Sequence, residues 1–136
     1  MVAKLIAAVA GVGLLMTAVP AGAHHSFAAE YDANSPITLD GTVTEMEWVN
    51  PHSWIHVDVK GPDGKVVKWM VETGAPNAMF RRGFNKKSLL PGTEVHVTGF
   101  RAKNGSNTMN GRNVVLPGGQ TLFVGSSGTG APDEPK

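Results

Sequence analysis

The sequence contains no cysteine. That absence excludes a disulfide framework, thiolate zinc or iron–sulfur sites, and a cysteine nucleophile. Charge of one sign is also missing, since 12 Lys and Arg stand against 11 Asp and Glu. A balance this close to neutral does not point to nucleic acid or an anionic membrane as partner. Aromatic residues are few, with 3 Trp, 1 Tyr and 5 Phe, so stacking platforms for a single-stranded nucleic acid are scarce. No Gly-x-Ser-x-Gly elbow and no His-Glu-x-x-His occurs, which removes two common hydrolase signatures. Glycine and proline, in contrast, are plentiful: 17 Gly and 9 Pro in 136 residues. That composition suits a turn-rich β protein with unstructured tails, and the length allows one modest domain.

Residues 1–23 read as a secretory signal peptide. Lys4 supplies a positive start, residues 5–19 carry no charge, and Pro20 precedes the small-residue end Ala21-Gly22-Ala23. The apolar stretch is short for a membrane span, which needs roughly 20 residues. The mature chain is therefore expected in the periplasm or outside the cell. No membrane anchor is expected after cleavage, and no Cys follows the signal to carry a lipid. Losing Lys4 leaves the basic side chains equal in number to the 11 acidic ones.

Residues 24–36 form an N-terminal segment, with a turn marked at Asp32-Ala33-Asn34-Ser35-Pro36. Regular β patterning starts at Ile37. Ile37, Leu39, Gly41 and Val43 alternate with polar residues, and the run continues past Met46 and Trp48 until Asn50-Pro51 stops it. A bend is expected at Gly41. In strand 53–60, Ile55, Val57 and Val59 point one way and Trp54, His56 and Asp58 the other. Gly61-Pro62-Asp63-Gly64 is turn chemistry, and 65–72 is the returning strand of a hairpin. Pro76 opens a short helix over 77–82 that Gly83 ends. Strands 93–100, 112–116 and 120–124 follow. The segment 125–136 has no large apolar residue and reads as a disordered tail. The order describes an all-β domain with one short helix, a small OB-like five-stranded barrel over 37–124. An open meander or a small sandwich would have a similar order.

The chemical candidates are the histidines. Cleavage after Ala23 makes His24 the N-terminal residue, whose α-amine and imidazole Nδ1 chelate Cu(II). Cleavage after Ala21 instead gives Gly22-Ala23-His24, in which amine, amides and imidazole enclose Cu(II) in a square plane. His25 stands beside either site. The plain alternative is two exposed histidines after a signal peptide. His52 and His56 are four apart on a strand, about 13 Å, too far to share one ion unless His52 folds back from the turn. Trp54, His56 and Asp58 share the outer face, where OB-folds display ligand-binding residues, and His96 points outward too. That surface binds a small ligand or completes a metal site with His24. Otherwise it is solvated, with Trp54 covered by the N-terminal segment. Glu45 and Glu47 lie on one strand face and read as solvated.

Ala23-His24-His25-Ser26-Phe27, Trp48-Val49-Asn50-Pro51-His52-Ser53-Trp54, Arg81-Arg82-Gly83-Phe84, Pro91-Gly92-Thr93-Glu94-Val95 and Gly99-Phe100-Arg101-Ala102-Lys103-Asn104-Gly105-Ser106 resemble a family of small secreted proteobacterial proteins known only as a domain of unknown function. The resemblance covers about residues 23–127. It implies a bacterial envelope protein and carries over no catalytic residue. The leading expectation is a non-enzymatic binding or accessory module that takes Cu(II) through His24 with His25, His52 or His56. The alternative is a protein-interaction domain whose Trp54/His56 face docks an envelope partner without metal. A nucleic-acid-binding domain and an enzyme are the remaining readings. The enzyme requires a deep pocket with perturbed acidic or His residues.

Overall fold

A computed structural model describes residues 27–127 and 129–132. The long first strand organises it. Strand β1 (Tyr31–Glu47) pairs over its first part with β4 (Glu94–Ala102) and over its last part with β2 (Trp54–Lys60), both antiparallel. Thr42 is opposite Glu94 on one side and Asp58 on the other. The strand therefore changes neighbours beside Gly41, where a Cβ would lie 2.5 Å from the Asp58 carbonyl. Only glycine permits that approach.

β2 turns back into β3 (Val66–Glu72) through the expected hairpin. The Asp63 side chain accepts the Lys65 N–H at 3.0 Å, and Gly64 takes a φ of 80°. Helix α2 (Pro76–Arg81) follows the helical turn α1 (Phe27–Glu30) in chain order. Gly83 ends α2 in a Schellman motif. Its N–H reaches the Phe80 carbonyl, and the Phe84 N–H reaches Met79, each at 3.1 Å. β5 (Thr108–Val115) pairs antiparallel with β4, and β6 (Thr121–Phe123) pairs with β5. β5 also pairs with β3 in parallel, from Met70 opposite Thr108 to Glu72 opposite Asn110. That last pairing closes five strands into a ring, in order β1-β2-β3-β5-β4 and back to β1. With α2 between β3 and β4, this is the OB-type order that the sequence predicts.

The ring encloses Leu39, Val43, Ile55, Val57, Val71 and Val97, joined by Met79, Phe84 and Leu89 from α2 and the loop after it. The alternation assigned to β2 holds, with Ile55 and Val57 buried while Trp54, His56 and Asp58 are half-buried on the other face. In β1 the inward positions change parity between Val43 and Met46. A bulge between Val43 and Glu45 makes that change.

Three segments differ from expectation, and the shortest difference is β5, which starts at Thr108 and not at Arg112. The first strand begins at Tyr31, not Ile37. The turn expected at Asp32–Pro36 is a shift of register inside the strand, and the Asp32 carboxylate accepts from the Asn34 N–H and the Ser35 hydroxyl there. These bonds, the backbone one first, lower the Asp32 pKa from its usual value. The segment beyond Val124, expected to be a disordered tail, is packed as far as Pro132. Gly125, Ser126 and Ala131 are buried, and Ala131 joins Phe27, Tyr31, Phe100 and Ala102 in a second small core. Its reason is aromatic: the Phe27 ring meets Phe100 edge-on at 5.3 Å, and the Ala131 methyl group fills space beside them. Among the described residues no helix is long and apolar enough to cross a membrane.

The spacing of β4 and β5 depends on Gly99, where a Cβ would stand 2.0 Å from the Asn110 carbonyl and 2.6 Å from the Met109 methyl. Gly99→Ala is expected to lose about 1–3 kcal/mol or more. Denaturant unfolding measures it, and an unchanged midpoint contradicts this packing.

Candidate functional site

Beyond its ladders with β2 and β5, the end of β3 is tied to two other parts of the chain. Ser53 donates its N–H to the Gly74 carbonyl at 3.1 Å, and the Thr73 N–H and hydroxyl both reach the Ser53 carbonyl. Gly74 in turn donates to the Val124 carbonyl, and the Ser126 hydroxyl donates to Thr73. The loop after β1, which contains a cis Asn50–Pro51 peptide, is thereby clamped beside Glu72. So is the C-terminal segment.

Glu72 is the charged residue at this junction, and it is 4 % exposed. Burying a carboxylate without hydrogen bonds costs several kcal/mol. Two donors meet it. The Tyr31 hydroxyl donates to Oε2, and His52 Nδ1 contacts Oε1. A carboxylate only accepts, so Nδ1 holds the proton and the lone pair of the neutral ring is on Nε2. The Tyr31 phenol is pushed above its ordinary pKa by burial first, then by its bond to Glu72 and the negative charges of Glu72 and Glu30.

His52 lines a cavity of about 530 Å³ together with Ala75, Arg81, Arg82, Ser126 and Thr129. Arg82 is engaged elsewhere. It donates to the Gly125 carbonyl and to the Ser127 hydroxyl, and its guanidinium lies 4.8 Å from the Phe123 ring centre. Burial, then the charge of Arg81, lowers its pKa. The N-terminal segment arrives at the same rim, because the Phe27 N–H donates to the Thr129 carbonyl at 3.1 Å. Phe27 is the last residue of the His-His-Ser-Phe motif, and its ring is buried. His24 and His25, with the signal segment 1–23, lie outside the described residues.

The expected His52, Trp54, His56 and Asp58 surface is divided among four places. His52 faces the cavity just described. Trp54 lines a second cavity with Glu30, Tyr31 and Lys103. His56 pairs through Nε2 with Glu47 Oε1 at 3.0 Å. Asp58 and His96 do share one groove, with Asp40, Lys60 and Glu94. His96 reaches it not by neighbouring β2 but across β1, and its Nδ1 is 2.6 Å from Asp40. Sequence reading missed Glu72 and Tyr31. Glu72 sits at the end of an alternating strand like any solvated acid, and only the long-range fold brings Tyr31 to it, 41 residues away. The second Trp of the Asn-Pro-His motif lines a cavity, whereas the first, Trp48, stacks on Phe80 at 4.9 Å and 6°.

A family of unknown function (DUF6152) matches residues 10–111. No curated protein and no solved structure matches the chain.

Tyr31 is the one tyrosine in the sequence, so tyrosinate absorbance reports it alone. With its folded pKa raised, its contribution to stability is complete below the ordinary value near 10 and falls away as pH rises above it. Tyrosinate is expected to appear together with alkaline unfolding. A reversible titration near pH 10 in the folded protein contradicts the buried Tyr31–Glu72 bond.

Proposed function

The chain belongs to a family of unknown function (DUF6152), and we propose that it is a small periplasmic or secreted accessory module that captures Cu(II) at the His52 cavity. The observation that carries this reading is the tether of His52 to Glu72. Metal-binding histidines commonly donate one ring N–H to a carboxylate, which fixes the tautomer and makes the other nitrogen a better ligand. His52 has this arrangement, with Nδ1 on a buried carboxylate and Nε2 available.

One imidazole does not hold copper firmly, and the further donors come from the N-terminus. His24 is three positions before Phe27, and three residues of extended chain span about 10 Å. Phe27 is itself fixed to Thr129 on the rim of the His52 cavity. Either proposed cleavage site therefore leaves His24 and His25 within reach of His52. Imidazole and amine nitrogens suit Cu(II). Arg81 is exposed, so solvent screens its repulsion of a cation. Arg82 directs its donors to Gly125 and Ser127.

The second reading is docking of an envelope protein without metal. It is favoured by the Trp48–Phe80 stack, with Phe80 43 % and Val49 46 % exposed. Trp54, half-buried and lining a cavity, favours it less.

Copper titration of correctly processed protein tests the first reading. Glu72→Gln, which removes the supporting charge, is expected to weaken binding about 10- to 100-fold. His52→Ala and a blocked N-terminal amine are each expected to weaken it as well. Equal affinity in all four proteins, with folding verified by circular dichroism, contradicts copper capture at this cavity.

A further inference from the structure

The bulge between Val43 and Glu45 has a chemical result on the outside of the ring. It places Glu45 directly opposite His56 in the β1–β2 ladder, and Glu47 follows two residues later on the same face. One ligand atom from each of Glu45, Glu47 and His56 lies within 4.8 Å of the other two. In a tetrahedral site with metal–ligand bonds of about 2.0–2.2 Å the donors stand roughly 3.4 Å apart, so side-chain movements of about an ångström bring all three onto one centre. We propose that Glu45, Glu47 and His56 form a site for a first-row divalent cation of the zinc type, separate from the His52 cavity.

The donor set decides the class of ion. Two carboxylates neutralise a divalent charge. The imidazole favours Zn(II) or its first-row neighbours over Mg(II) and Ca(II), which prefer oxygen alone. Three protein donors leave a fourth position for water, the arrangement of an open site. The donors project from two paired strands rather than from loops, which holds their spacing. His56 and Glu47 already meet at 3.0 Å, with side chains 25 % and 37 % exposed. A bound ion replaces the proton shared between them and draws in Glu45, which is exposed. Among the described residues no Lys or Arg forms an ion pair with either glutamate, so binding breaks no existing salt bridge to a basic side chain.

Zn(II) calorimetry on the full mature protein tests the site by the difference between wild type and His56→Gln, because any zinc held at the His52 cavity is common to those two. Wild type is expected to bind one equivalent more than His56→Gln, and His52→Ala is expected to retain that equivalent. Glu45→Gln and Glu47→Gln are each expected to weaken it. Co(II) absorbance supplies a second readout, with a ligand-field band expected in wild type and lost in His56→Gln. All four side chains replaced are at least partly exposed, and circular dichroism with thermal unfolding verifies the fold. The proposal is overturned if zinc stoichiometry is the same in wild type and His56→Gln, if both glutamate variants bind as wild type does, or if wild type binds no zinc. Loss of the equivalent in His52→Ala with retention in His56→Gln also overturns it and moves the ion to the other cavity. Failure of copper capture, read from Glu72→Gln and the blocked N-terminus, leaves this zinc difference unaffected.

Discussion

A buried carboxylate holds one end of this molecule together. Glu72 lies at the last position of β3, is almost without solvent, and has the Tyr31 hydroxyl on one oxygen and His52 Nδ1 on the other. A charge in that position is tolerable only while its hydrogen bonds are complete. It therefore fixes Tyr31, at the start of β1, and His52, in the loop between β1 and β2, relative to the end of β3. These are the segments that carry the His-His-Ser-Phe and Asn-Pro-His motifs. Removing either donor leaves Glu72 with an unmet demand, which couples the N-terminal segment to the cavity in addition to the Phe27–Thr129 bond.

The packing around this carboxylate follows from the same constraint. Phe27 and Phe100 cover Tyr31 from outside the ring, and Ala131 from the C-terminal segment closes over them. Lys103 donates its backbone N–H to Glu30 and its ammonium to Ala28, holding α1 against the end of β4. The segment 125–132 thus has a function despite its small side chains. Its carbonyls accept from Arg82, Arg112 and Phe27, while the Arg82 and Arg112 guanidiniums lie 4.8 and 4.9 Å from the Phe123 ring centre. Beside the Ala131 contact with the aromatic cluster, polar satisfaction and cation–π contact hold this segment, which has no large apolar group of its own. Apolar composition therefore could not reveal it.

Local features of the fold were legible in the sequence, and features that depend on distant partners were not. Alternation at Ile55 and Val57 with the turn at Gly61-Pro62-Asp63-Gly64 identifies the hairpin, and Pro76 with Gly83 bounds the helix, because these signals are encoded within a few residues. Closure through the parallel β3–β5 pair has no local signature, since it joins Val71 to Met109. The OB-type order was inferred from element sequence alone, and the ring agrees with it. Among the candidate residues, the outward face of β2 was read correctly, as was the outward position of His96. The grouping was not: His52 left that face for Glu72, and His56 took Glu47, a residue read as solvated. The parity change between Val43 and Met46 was the available sign of the bulge that brings Glu45 and Glu47 to His56.

The central claim is that Glu72 fixes the tautomer of His52 and directs its free nitrogen to the cavity. Long-range proton–nitrogen NMR of imidazole-labelled protein near neutral pH measures this directly. The account predicts that in the metal-free protein the neutral form of the His52 ring carries its proton on Nδ1 and leaves Nε2 bare, and that this preference is lost in Glu72→Gln. A neutral His52 ring with its proton on Nε2, or one that exchanges freely between tautomers in the wild-type protein, would contradict it.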